Sequence, residues 1–241
     1  RKSVYKTPAD IENIVKEASL ICIRNKRGVV TSKDLSEAID RIDLGVKHRK
    51  HMTPEERRMI AYHEAGHLIT LYLLHPTDDV FKASIISRKG FLGVVHHQPR
   101  EELFTESKEK LIADIKVSMS GYMAEKLKLN TTSSGVSADF HHAMSIAHMM
   151  VWRLGMGEKH IGDFTAIPEA QLSESIKEEL NNETERIIKA CAKDAEDVLT
   201  KEISLLDRFA NELLEHEELD YDEIDAIFKE YNKSKFNDPS K

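Results

Sequence analysis

The residues most able to do chemistry are His63-Glu64-Ala65-Gly66-His67. Histidines at i and i+4 share one face of an α-helix, one turn apart. Two imidazoles so placed can reach one Zn²⁺ at roughly 2.0–2.1 Å. Glu64 stands beside the first imidazole, where it can take a proton from water activated by the metal. This is the spacing of metal-assisted hydrolysis. Two histidines need a third protein ligand, with a fourth position left for water. Spacing alone leaves Asp139, His141, His142, Glu125 and the pair His96-His97 open. In favour of Asp139, Ser134-Gly135-Val136-Ser137 reads as a turn entering a helix and sets the aspartate in the first helical turn. His142, three residues on along the same helical face, is the runner-up.

Several elements must position these groups. Thr53-Pro54-Glu55-Glu56 is a capping box with proline at the first helical position, predicting a helix from 54 to about 74 that carries the motif. Over 80–98 the chain turns to β-type residues, with a turn at Lys89-Gly90, and this is the one substantial sheet expected. If strand alternation holds, His96 and His97 point to opposite faces, so at most one faces the metal. Helices are expected over about 106–129, 137–153, 170–200, 202–216 and 221–232, with Met144, Met149, Met150 and Trp152 read as core. Upstream, Thr7-Pro8-Ala9-Asp10 starts a helix along Ile11, Ile14, Val15, Ala18, Ile21 and Cys22, and Thr31-Ser32 caps a second. A basic linker, Lys47-His48-Arg49-Lys50-His51, reads as a solvated hinge. The fold class is therefore mainly α, with one small β-sheet, preceded by a small helical unit.

Composition narrows the function. The 241 residues carry 35 Lys plus Arg against 42 Asp plus Glu, a net charge of −7. That balance argues against a nucleic-acid partner bound through phosphate neutralisation. Two distant cysteines, Cys22 and Cys191, give neither a disulfide framework nor a cysteine zinc site. No membrane segment is read in this chain, since no apolar run approaches about 18 residues. No apolar leader follows Arg1-Lys2.

The motifs taken together resemble the FtsH-type ATP-dependent zinc metalloproteases. Tyr62-His63-Glu64-Ala65-Gly66-His67 looks like that family's zinc motif. Thr132-Ser133-Ser134-Gly135-Val136-Ser137-Ala138-Asp139-Phe140 is similar to its Thr-Gly-Ala-Ser-Asn-Asp-Leu signature, and Leu154-Gly155-Met156-Gly157 to its Tyr-Gly-Met-Ser stretch. The resemblance implies Zn²⁺ held by His63, His67 and Asp139, with Glu64 as catalytic base. It implies a supporting role for Glu125, in an Ala-Glu pair, behind the metal ligands. Gly90-Phe91-Leu92-Gly93-Val94-Val95-His96 resembles the strand flanking the family's cleft, which makes Leu92, Gly93, Val94, Val95 and His96 candidates for binding extended peptide. It also implies an organisation: 1–46 as the C-terminal part of an AAA+ helical lid, 47–233 as a helical zincin-like peptidase domain, and 234–241 as a polar tail. The full-length protein would be a membrane-anchored homo-hexamer with this domain on the cytoplasmic or organelle-interior side. It would degrade unfolded or membrane polypeptides.

Departures from the family pattern are visible. No Gly-x-x-x-x-Gly-Lys-Ser/Thr occurs, so ATP would enter only through a module upstream of this sequence. Pro8 stands where glycine is usual, Ser120-Gly121 replaces Gly-Gly, and Lys126 replaces a second acid. Val95-His96-His97-Gln98-Pro99 replaces a more apolar, aromatic run. The alternative reading is a divergent member with a binding or chaperone role and little proteolysis.

Overall fold

Helix α3 (Pro54–Leu74) starts as the capping box requires. The Glu56 amide donates to Thr53 Oγ1 at 3.2 Å and the Thr53 amide to Glu56 Oε2 at 2.7 Å. Such caps each stabilise a helix by about 1 kcal/mol. From Ala61 to Tyr72 nearly every residue of α3 is buried, because α4 (Lys108–Leu129), α7 (Ile203–His216) and β1 (Asp78–Ser84) all pack on it. A helix enclosed on most sides is apolar on most sides, so the polar exceptions at Glu64, His67 and Thr70 stand out.

This computed structural model describes residues 5–47, 50–88 and 91–235. Around α3, in chain order, are α1 (Pro8–Arg24), α2 (Ser32–Asp43), β1 (Asp78–Ser84), β2 (Val94–Pro99), α4 (Lys108–Leu129), α5 (Ser137–Trp152), α6 (Glu174–Lys201), α7 (Ile203–His216), β3 (Glu218–Asp220) and α8 (Tyr221–Glu230). The fold is mainly α, with one antiparallel sheet of order β2-β1-β3. The main core runs through Leu68, Ile115, Met150, Leu180, Leu205 and Phe209. Helices α1 and α2 close a second, smaller core of Ile14, Ala18, Ile21 and Ala38. Polar contacts join the two: Lys82 pairs with Asp40, and Arg88 reaches Glu218 Oε1 at 2.5 Å and the Gly45 carbonyl at 3.4 Å.

The structure departs from the sequence pattern in four places. First, β3 was not foreseen. It is three residues long, squeezed between the left-handed Glu217 that ends α7 and Asp220, which caps α8, and so short a strand leaves no periodicity to read. Second, Ile85, Ile86, Phe91 and Leu92 lie outside the strands; the chain leaves the sheet after Ser84, and Arg88 bridges to Phe91. The expected Lys89-Gly90 turn falls outside the described residues, as do His48, Arg49 and 236–241. Third, Lys47 is not free in solvent: it bridges to Arg88 and pairs with Glu218 at 2.5 Å. Fourth, Met144 is half exposed, whereas Met150 is core.

Phe228 is fully buried, stacked on Tyr72 with ring centroids 3.5 Å apart and tilted against Phe209 at 4.8 Å. Phe228→Ala removes that ring from both neighbours. Urea unfolding is expected to show a loss of about 3–5 kcal/mol, and an unchanged midpoint would contradict this packing.

Candidate metal centre

His63 and His67 lie one turn apart on the α3 face turned toward α4 and α5. Their Nε2 atoms are 2.9 Å apart. Asp139 Oδ2 lies 3.1 Å from His63 Nε2 and 3.6 Å from His67 Nε2. Asp139 sits where the turn reading put it, in the first turn of α5, after a short 3-10 turn over Ser134–Val136. Among the described residues these three form the one group of His, Cys, Asp or Glu whose donor atoms converge closely enough to hold a metal ion.

The other nitrogen of each ring is committed. His63 Nδ1 lies 2.8 Å from Glu125 Oε1, and His67 Nδ1 lies 2.7 Å from the Val117 carbonyl. A carbonyl or a carboxylate can only accept, so each Nδ1 carries the proton and donates it. Both Nε2 atoms then face each other and the Asp139 carboxylate. Three such atoms at these distances need a shared proton or a metal cation among them. Ligands at 2.0–2.1 Å from a tetrahedral zinc stand roughly 3.3 Å from one another. The separations of 2.9, 3.1 and 3.6 Å bracket that value. The donor set and its spacing fit zinc.

Electrostatics point the same way. Burial disfavours a charged His63, but its hydrogen bonds to Asp139 and Glu125 outweigh burial and lift its pKa to about 10. Burial also works against an ionised Asp139, yet contacts with His63 and His67 hold its carboxyl well below the usual range. The site attracts positive charge strongly. Buried Glu64 differs: burial pushes its carboxyl up, and the attraction of His63 and His67 opposes the rise without cancelling it.

Glu125 is itself fixed. It is 1% exposed and accepts from the Ser133 amide at 2.6 Å and the Ser133 hydroxyl at 3.1 Å. The loop leading to Asp139 thus clamps the carboxylate that orients His63. Close backbone approach is equally necessary. A Cβ on Gly66 would lie 2.7 Å from Ala124 Cβ, and one on Gly121 would lie 2.5 Å from His63 Cε1. A Cβ on Gly93 would lie 2.8 Å from Glu64 Cδ. Ser133, Gly121 and the Val117 carbonyl were missed as parts of the site. Gly121 was visible only as half of an altered glycine pair, and a carbonyl leaves no mark in a sequence.

A cleft of about 560 Å³ opens over the group and is lined by Leu92, Gly93, Val94 and Val95, with Glu64 at its base. His96 does not line it. Its ring lies 6.4 Å from that of Phe81, and His97 takes the cleft side instead. His141 and His142 are exposed on α5, and His142 Nδ1 contacts Ser118 Oγ at 3.0 Å.

If Glu125 orients His63, Glu125→Gln weakens that hold. Zinc affinity, measured by competition with a chromophoric chelator, is expected to fall about 10–100-fold, and unaltered affinity would remove Glu125 from the site.

Residues 50–227 match peptidase family M41. The chain is 34% identical over 244 aligned residues to the "ATP-dependent zinc metalloprotease FtsH" of Borreliella burgdorferi, covering 95% of this chain and 38% of that protein. It is 33% identical to the protein of the same name from Thermotoga maritima, covering 92% of this chain and 39% of the other, and 32% identical to that of Veillonella parvula, covering 92% and 37%. This chain therefore spans less than two thirds of the length of these relatives. A family match over residues 50–227, which contain the histidine pair, Glu64, Glu125 and Asp139, makes this chain a member of peptidase family M41.

Proposed function

We propose that this chain is a zinc-dependent endopeptidase unit, with His63, His67 and Asp139 as metal ligands and Glu64 as the catalytic base. The observation that carries the reading is the convergence of three donor atoms beside a buried, proton-hungry Glu64 at the base of a cleft. Zinc held there supplies Lewis acidity and brings the ionisation of water into the neutral range. Glu64 takes the proton of the attacking water and returns it to the departing amine. Burial of the Glu64 carboxylate favours its taking up that proton. Glu125 and the Val117 carbonyl hold the imidazoles in one tautomer and one orientation.

The peptide is held by β2. That strand is at the edge of the sheet, and Leu92, Gly93, Val94 and Val95 face the cleft. An extended substrate adds to such an edge through main-chain hydrogen bonds, which read little sequence. His96 would contribute its backbone rather than its ring.

The relatives' names supply ATP dependence, and the motif resemblance supplies the rest. In that reading residues 1–46 end an AAA+ lid, 47–233 form the peptidase domain and 234–241 are a polar tail. The separate small core of α1 and α2 and a family match that begins at residue 50 both support this division. Among the described residues no helix is long and apolar enough to cross a membrane, so a membrane anchor would lie outside them. The assembled protein would be a homo-hexamer anchored in a membrane, with this domain on the cytoplasmic or organelle-interior side. It would take unfolded or membrane polypeptides.

Two variants test the assignment. Glu64→Gln is expected to keep about one zinc per chain and lose casein cleavage by at least about 100-fold. Asp139→Asn is expected to lose both zinc and cleavage. Cleavage surviving in Glu64→Gln, or full zinc retention in Asp139→Asn, would overturn these roles.

A further inference from the structure

The cleft continues past His67 into an end to which the peptidase reading gives no role. Val117, whose carbonyl holds His67, and Ser118 form part of its wall. Asp114 lies on the same helix, three residues from Val117 and about 4.5 Å along the axis. His97 from β2 and His142 from α5 complete this lining.

Hydrogen bonds decide what these side chains offer a substrate. His97 Nδ1 lies 2.6 Å from Asp78 Oδ2 and donates to it, so in the neutral ring Nε2 is the acceptor. Burial works against the Asp78 charge, but the hydrogen bond from His97 and the nearby His75 outweigh it and hold the Asp78 carboxyl at about 2, so it accepts. Ser118 Oγ donates to the Asp114 carbonyl at 2.9 Å and can therefore only accept from His142 Nδ1, at 3.0 Å. In the neutral ring His142 Nε2 is again the acceptor. His75 Nδ1 accepts the Asp78 amide at 2.9 Å, so its Nε2 carries the proton donated to Asp114 Oδ1, also at 2.9 Å. Lys110 pairs with Asp114 Oδ2 at 3.0 Å but does not line the cleft, and it is shared with Glu106 at 2.7 Å.

This end therefore presents acceptors. Among the described residues, every charged residue lining the cleft apart from the histidines is acidic: Glu56, Glu64, Asp114, Glu125 and Asp139. Elsewhere the lining turns apolar, at Met59, Ile60, Phe91 and Leu92. Lys and Arg are all donor and no acceptor, and they carry the complementary charge. Asp and Glu would bring like charge to a wall of acceptors, and an apolar side chain would leave those acceptors unpaired.

We infer that the end of the cleft beside His67 is a specificity subsite for a basic side chain, Lys or Arg, of the peptide being cut. Its N–H groups donate to His97 Nε2 and to the Asp114 carboxylate. The inference rests on the peptidase reading and adds a substrate preference to it.

The test uses the zinc-loaded 241-residue chain and a set of unstructured peptides. They differ only at the positions flanking one scissile bond, and products are identified by mass spectrometry. One flanking position is expected to favour Lys or Arg over Glu by at least about tenfold in kcat/KM, with Leu between them. His97→Phe and Asp114→Asn are each expected to lower the Lys-to-Leu ratio about tenfold, in samples whose zinc content and thermal melt match the parent chain. The ranking in the parent chain decides the matter even if a variant fails to fold. Cleavage with no basic preference at any flanking position sinks this inference and leaves the peptidase reading standing. No cleavage of any peptide by the zinc-loaded chain sinks both.

Discussion

Two imidazole nitrogens held 2.9 Å apart, both facing the Asp139 carboxylate, are the constraint on which this structure depends. The arrangement needs a positive charge among its three members, whether a proton or a metal ion. It persists because each ring's other nitrogen is tied down, His63 to Glu125 and His67 to the Val117 carbonyl. Those anchors are in turn parts of the fold. Glu125 is locked by Ser133, and the carbonyl belongs to α4. Three donors are thus gathered where a cation fits, at separations compatible with a tetrahedral zinc site.

The α3–α4 contact sets the geometry. Gly66 meets Ala124 and the Ser120 carbonyl, and Gly121 meets the His63 ring, at distances no side chain could share. The two helices can approach this closely only with glycine at both places. That proximity brings Glu125 and Val117 within reach of the rings. Asp139 arrives from a third helix, and Gly93 brings the strand side over Glu64. The small sheet has a double use. Its core strand β1 packs on α3, and its edge strand β2 forms one wall of the cleft.

Much of this was legible in the sequence. The capping box at Thr53, the His-Glu-x-x-His spacing and the turn before Asp139 are local patterns, and local patterns survive in a single chain. Spacing alone could not choose Asp139 over His142 or Glu125, because the choice is made by three helices meeting; the family resemblance named it. Of the strand residues proposed for peptide binding, Leu92, Gly93, Val94 and Val95 line the cleft; His96 does not, and His97 does. The three-residue β3, the pinned Lys47 and the half-exposed Met144 were missed for the same kind of reason. Each is decided by a neighbour distant in sequence.

The central claim is that His63, His67 and Asp139 together hold zinc. Zinc K-edge X-ray absorption on the loaded chain tests it most directly. Scattering is expected from two imidazoles and from oxygen donors at about 2.0–2.2 Å, with no sulfur, and Asp139→Asn is expected to lose the ion. A zinc site with fewer than two imidazoles, or one indifferent to Asp139, would contradict it.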